Sequence, residues 1–109
     1  MKKLIEIAKD FSDVPAGRYR EDGPYSGEEF RDSVLVPALE LNKEVEVVLD
    51  GAEGYGSSFL EESFGGLVRC EAITESEVGS KLKIIARSGD YSVYKELILR
   101  YMSEAFQAH

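Results

Sequence analysis

A chain of 109 residues, 43% hydrophobic and 31% charged, has the composition of one globular domain with a single modest core. Thirteen Lys+Arg against twenty-one Asp+Glu leave a net charge of −8. That excludes autonomous nucleic-acid binding, which needs clustered cations, and disfavours anionic membranes. A single cysteine, Cys70, rules out an internal disulfide and a cysteine-rich zinc site. A single histidine, His109, removes the Ser-His-Asp triad and histidine metal centres from consideration.

Residues 3–8, with Leu4, Ile5 and Ile7, predict a short strand. The opening MKKLIEIAKD lacks the sustained apolar region of a signal peptide, and no window approaches the ~20 apolar residues of a spanning helix. A cytoplasmic protein with a reduced thiol is expected. Residues 9–25 contain Pro15, Gly17, Gly23 and Pro24 and predict a loop, with a short strand at residues 18–20. Ser26-Gly-Glu-Glu29 reads as a capping box, so a helix follows, with Phe30, Val34, Ala38 and Leu41 on one face and a kink or two half-helices at Pro37.

EVEVVLD, residues 44–50, is the clearest strand, with Val45, Val47 and Leu49 alternating against Glu46 and Val48. A glycine-rich loop, residues 51–56, leads into a second capping box, Ser58-Phe-Leu-Glu61, and a helix over residues 59–70. Leu60, Phe64, Leu67 and Val68 form its apolar face. Gly65-Gly66 inside it predicts a very close approach to the sheet or a partner. KLKIIAR, residues 81–87, predicts a strand. After Ser88-Gly-Asp90 a last helix carries Tyr94, Leu97, Ile98, Tyr101, Met102 and Ala105 at three-four spacing. Strands alternating with helices predict a small, mainly parallel or mixed α/β sheet of about four strands, with three main helices largely on one face and one domain over residues 1–109.

Residues 51–58 lie where open α/β sheets place their sites: after a strand and before a helix whose free amides favour anions. Ser57 and Ser58 are candidate phosphoacceptors there, or Ser58 is simply the N-cap and Ser57 a turn residue. Tyr55 in that loop is expected to be exposed, and with Phe59 and Glu62 forms a candidate partner-binding patch. Arg18, Asp22, Ser26, Glu28 and Arg31 gather polar groups around the long loop; they either bind a carboxylate or phosphate or pin the loop to acidic neighbours. Asp50, Glu53, Glu61 and Glu62 are either a carboxylate site for a cation or an acid/base pair, or a solvated rim. Cys70 is read as a small core or edge residue. The 12 acidic residues of segment 21–62, against Arg31 and Lys43 alone, predict an acidic surface, which either suits a basic partner or serves solubility alone.

The stretches FSDVPAGRYREDGPYSGEEFRDSVLVPAL and VVLDGAEGYGSSFLEESFGGLVR resemble the bacterial STAS-like domain of unknown function, over about residues 5–87. The motifs SGEEFR and GYGSSFLEESFGGL carry that resemblance, since generic α/β packing demands neither. It extends, through element order and one site, to the anti-sigma-factor antagonists. In those domains a serine at the start of a helix, in an Asp-Ser-Ser/Thr-Gly stretch, is phosphorylated by a partner ATPase of the histidine-kinase-like fold. The resemblance implies a non-enzymatic regulatory domain without cofactor or metal, docking such an ATPase or another anti-sigma-type protein, with Ser57 at the acceptor position and Ser58 after it. Gly56 stands where the antagonists carry Asp, and Phe59 where they carry Gly. These departures motivate an alternative, a binding module with no covalent event. A small hydrolase or ligand sensor using Arg18, Asp50 and Glu61 is the remaining reading, and it lacks a nucleophile–base pair.

Overall fold

The computed structural model describes residues 1–108, so His109 lies outside the described residues. Three strands, β1 (Lys2–Glu6), β2 (Glu44–Val48) and β3 (Leu82–Ile85), make an all-parallel sheet in the order β1-β2-β3. Val45 stands between Lys3 and Leu82, and Val47 between Ile5 and Ile84. Four helices accompany them. The first, α1, is Ile7–Asp10. The second, α2 (residues 27–41), runs as α over Gly27–Phe30, widens into a π turn over Arg31–Leu35 and resumes as α over Val36–Leu41. The third, α3 (residues 57–69), has the same build: Ser57–Leu60, a π turn over Glu61–Gly65, then Gly66–Arg69. The last, α4, is Ser92–Ala108.

Two local choices reduce the expected four strands to three and raise the helices to four. Residues 18–20 form no strand, because the Asp22 carboxylate accepts the N–H groups of Arg18 (3.2 Å) and Tyr19 (2.9 Å) and folds the chain into a 3₁₀ turn, Arg20–Asp22. A side chain thus takes donors that a ladder would need. At the end of β1 the Ile7 carbonyl accepts the N–H of Phe11 (3.0 Å) and of Ser12 (2.8 Å), which turns residues 7–10 out of the sheet.

The π turn of α2 also moves its buried face. The expected stripe was Phe30, Val34, Ala38 and Leu41, yet Leu41 is 80% exposed and the buried set is Phe30, Leu35, Ala38 and Leu39. The step from Phe30 to Leu35 is five residues, one more than an α turn. The Val36 N–H reaches back to the Arg31 carbonyl, and the widened turn comes just before Pro37. A proline ring there collides with the carbonyl four residues back in a regular helix, so the extra residue makes room for it.

Ile5, Val45, Val47, Leu82 and Ile84 are buried on the helix side of the sheet. The helices pack on that face, with Phe30, Phe59, Phe64, Leu60, Leu67, Ile98 and Met102 filling the interior. α2 and α3 touch where Gly27 lies: an added Cβ would sit 2.6 Å from the Phe59 carbonyl oxygen and 3.1 Å from the Ser63 nitrogen. The opposite face is uncovered, unusual for parallel strands. It carries a ladder of cross-strand ion pairs, with Lys2 to Glu46 (3.1 Å) and Glu44 (3.8 Å), and Lys83 to Glu44 (3.4 Å). The Arg87–Glu6 pair (4.0 Å) spans the central strand at Val48, which is buried. No helix among the described residues is long and apolar enough to cross a membrane.

Candidate functional site at the carboxyl edge of the sheet

Parallel strands end together, so the segments after β1, β2 and β3 share one edge. They are stitched to each other. Both Asp50 oxygens accept backbone N–H groups, from Arg87 and Ser88, each at 2.8 Å. The Glu53 N–H donates to the Asp13 carbonyl (2.8 Å). Tyr55 Oη donates to the Leu49 carbonyl (2.5 Å), and Tyr91 Oη to that of Ala52 (2.6 Å). The Tyr55 ring meets Tyr94 edge-on at 5.2 Å and stacks on Phe59 at 6.0 Å. The glycine-rich loop is therefore held from beneath by tyrosines.

That arrangement corrects the expected contact patch. Tyr55 is buried rather than exposed, and burial pushes its hydroxyl well above the usual phenol range. Phe59 lies wholly in the core, and Glu62 is 8% exposed. All three expected contact residues thus face inward, because a loop ending in Tyr-Gly-Ser-Ser-Phe needs its aromatic residues as the floor that fixes it. Ser57 and Ser58 are exposed, as a phosphoacceptor requires. Neither is the N-cap: that is Gly56, with extended backbone (φ −72°, ψ 147°), and no side chain caps the helix. The first amides of α3 therefore lack a side-chain cap beside two exposed hydroxyls, with Leu60 making the first return bond, to the Gly56 carbonyl (3.1 Å).

Glu61, expected to close a capping box, instead joins an ion cluster behind the site. Arg18 Nη1 lies 2.5 Å from Glu61 and 3.1 Å from Glu62. Arg31 Nη1 reaches Glu62 Oε2 at 2.5 Å, and its Nε donates to Asp32 at 2.8 Å. Arg69 donates to Glu61 at 2.5 and 3.1 Å and to Glu62 at 3.4 Å. Hydrogen bonds from Arg69, and then Arg18, hold the Glu61 carboxyl below its usual range against the opposing effect of burial. Burial works against the Arg31 charge, but Asp32 and Glu62 outweigh it and raise the guanidinium pKa. The glycine pair is explained here: a Cβ on Gly65 would lie 2.5 Å from Glu61 Oε2, and one on Gly66 2.6 Å from Arg31 Nη1. The close approach inferred from Gly65-Gly66 is thus to the ions of the helix's own neighbourhood, not to the sheet.

The loop residues divide accordingly. Arg18 and Arg31 anchor on Glu62, Asp22 turns the loop, and Ser26 caps α2 by accepting the Glu29 N–H (3.2 Å). Glu28 accepts the Arg20 N–H at 3.0 Å. The carbonyls of Gly17 and Arg18 accept the Gly27 and Glu28 N–H groups, so the loop is sewn onto the start of α2. The acidic set is not one group: Asp50 serves the β3 loop, while Glu61 and Glu62 face arginines. No cluster of three or more metal-ligating side chains occurs among the described residues. Arg69 was missed in the sequence; its signal was two adjacent glutamates seven and eight residues before an arginine on one helix. Of the two places read for Cys70, core or edge, the structure has the edge: it is exposed at the end of α3.

A three-stranded parallel sheet with helices on one face, and paired serines opening the helix after its central strand, defines a small α/β domain whose site lies at the strand ends. The chain belongs to the STAS-like domains of unknown function: the profile of that family matches residues 26–91, from the cap of α2 to the turn before α4. No curated protein and no solved structure matches it.

Proposed function

We propose that this STAS-like domain is a regulatory protein-interaction domain that presents the first turn of α3 to an ATPase of the histidine-kinase-like class, and that Ser57 accepts phosphate there. The observation that carries the reading is the exposure of Ser57 at an uncapped helix start on a tyrosine-fixed loop. Transfer breaks the bond between the γ-phosphorus of ATP and its β-phosphate oxygen, forms one to Ser57 Oγ, and releases ADP and the hydroxyl proton. The uncapped amides and the helix dipole favour the charge that arrives. The contact surface comprises the exposed side of this edge: Glu53, Gly56, Ser57 and Ser58, with Val14 and Val93 as apolar neighbours. The added charge, about −2, switches the complex off by repelling a partner matched to the uncharged surface.

The constitutive alternative rests on Phe59. Where the antagonists carry glycine after the serines, this chain has an aromatic wholly buried in the core. Affinity capture from the native host, with ATP and magnesium, separates the two. Phosphate on Ser57 together with a histidine-kinase-like ATPase supports the switch; the same partner with unmodified protein supports constitutive docking. Under the switch, Ser57→Ala keeps the complex and abolishes phosphate incorporation, while Ser57→Asp weakens binding. If Ser57→Asp binds as tightly as the parent, the switch has no mechanism.

A further inference from the structure

The two edges of the sheet differ. At the start of β3 the Leu82 carbonyl is occupied by the Gly79 N–H (2.9 Å) and Val78 bridges to Leu82, so that edge is partly closed. Among the described residues no backbone segment pairs with the outer edge of β1, where only the Asp10 carboxylate intrudes, on the Glu6 N–H. The Met1 carbonyl accepts the Lys43 and Glu44 N–H groups, which directs odd residues towards β2 and turns the backbone groups of Lys2, Leu4 and Glu6 outward. The Glu6 N–H confirms the direction, since it is met by the Asp10 carboxylate at 2.8 Å. The N–H and C=O of Leu4 remain as a free pairing unit on the edge, and its side chain is 43% exposed.

The sequence of this edge is complementary to itself. Laid antiparallel to a copy about a two-fold axis at Leu4, residue 2 stands opposite residue 6 at both ends. Lys2 then meets the partner's Glu6, and Leu4 meets its own equivalent with reciprocal N–H to C=O bonds. All three side chains lie on the open sheet face. The Lys2 side chain is 59% exposed although it already touches Glu44 and Glu46, and an ammonium has three donors. Below the edge, on the helix side, runs a groove of about 410 Å³ between β1 and α2, lined by Lys3, Ile5, Val34, Pro37 and Leu41. The two-fold axis brings two such grooves together and gives the exposed Leu41 an apolar surface to cover. We infer that a second copy of this chain occupies the β1 edge, forming an isologous dimer with a continuous six-stranded sheet.

The test is sedimentation over a wide concentration series, with far-UV circular dichroism melts to confirm that every variant is folded. The parent chain is expected to self-associate reversibly into dimers. Lys2→Glu and Glu6→Lys each set like charges opposite one another at both ends and should weaken the dimer about tenfold. Mixing these two variants restores every opposite-charge pair and should return dimerisation to the parent's strength, which neither variant reaches alone; the double variant should recover it too. Protection of the Leu4 amide from hydrogen exchange should rise with concentration. A parent that stays monomeric throughout overturns the inference. So does a dimer unaffected by either reversal, or one that mixing fails to rescue.

Discussion

Glu62 is the residue on which the loop, α2 and α3 converge. Its carboxylate meets Arg18, Arg31 and Arg69 while nearly excluded from water, and Arg31 is almost as enclosed, with 13% of its side chain accessible. Exposed ion pairs contribute little, but removing one partner of an enclosed set strands the others. Glu62→Gln keeps the shape and deletes the charge. It should cost about 2–3 kcal/mol, read as a lower urea midpoint with unchanged slope. Limited proteolysis should meanwhile begin in the 12–25 loop, which loses one of its anchors. A variant as stable as the parent would make the cluster ornamental. Sequence alone placed Arg18 and Arg31 beside the loop, as ligand groups or as anchors, and their partners lie 31 to 44 residues away in Glu61 and Glu62. No local pattern announces such a pairing. The glycines that make room for it were visible, but what they make room for was not.

Among the elements, α3 ends in a way that its sequence contradicts. Ala72 N–H bonds the Leu67 carbonyl (2.9 Å) and Glu71 N–H that of Val68 (3.0 Å), the two bonds of a Schellman stop. That motif puts the intervening residue in the left-handed region, and Glu71 is there at φ 60°. A side chain is strained in that region, whereas glycine enters it freely. Glu71→Gly should raise stability by about 0.5–1 kcal/mol, seen as a higher melting temperature. Loss of stability would mean that the side chain contributes more than its backbone costs. Helix existence was legible for α2 from its Ser26 cap and for α3 and α4 from apolar spacing, although the expected Ser58 cap of α3 does not form. The face of α2 was not, because a π turn inserts one residue into a period that the reading takes as constant. Pro37 marked the interruption, read as a kink or two half-helices, and the structure has two α segments joined by a widened turn.

For the whole molecule, acid is the condition that tests the ion clusters. The Glu61 carboxyl is held low by Arg69 and Arg18, so the folded chain binds its proton later than the unfolded chain does. Such a group contributes its full stabilisation above the ordinary carboxylate pKa, near 4.3, and loses it as the pH falls through the lowered folded value. Urea midpoints should therefore be flat from neutral pH down to about 5 and drop below that. Glu61→Gln should be less stable at neutral pH and show a shallower acid decline; equal slopes would remove Glu61 as a cause. The parallel α/β class was legible because strand and helix periods alternate along the chain. The strand count was not, since Asp22 captured backbone donors that a periodic reading assigns to a ladder.

The strand order has a consequence for how this chain is made. Each crossover returns to the side of the strand just completed, so the sheet grows in the direction of translation and no strand must slip between two already paired. β1 and β2 can pair, under α2, before β3 leaves the ribosome. Until then the outer edge of β2 is bare, and its apolar run Val45, Val47 and Val48 is the segment most open to a wrong neighbour. A pause in synthesis between β2 and β3 is thus the moment at which this domain is most easily lost to aggregation.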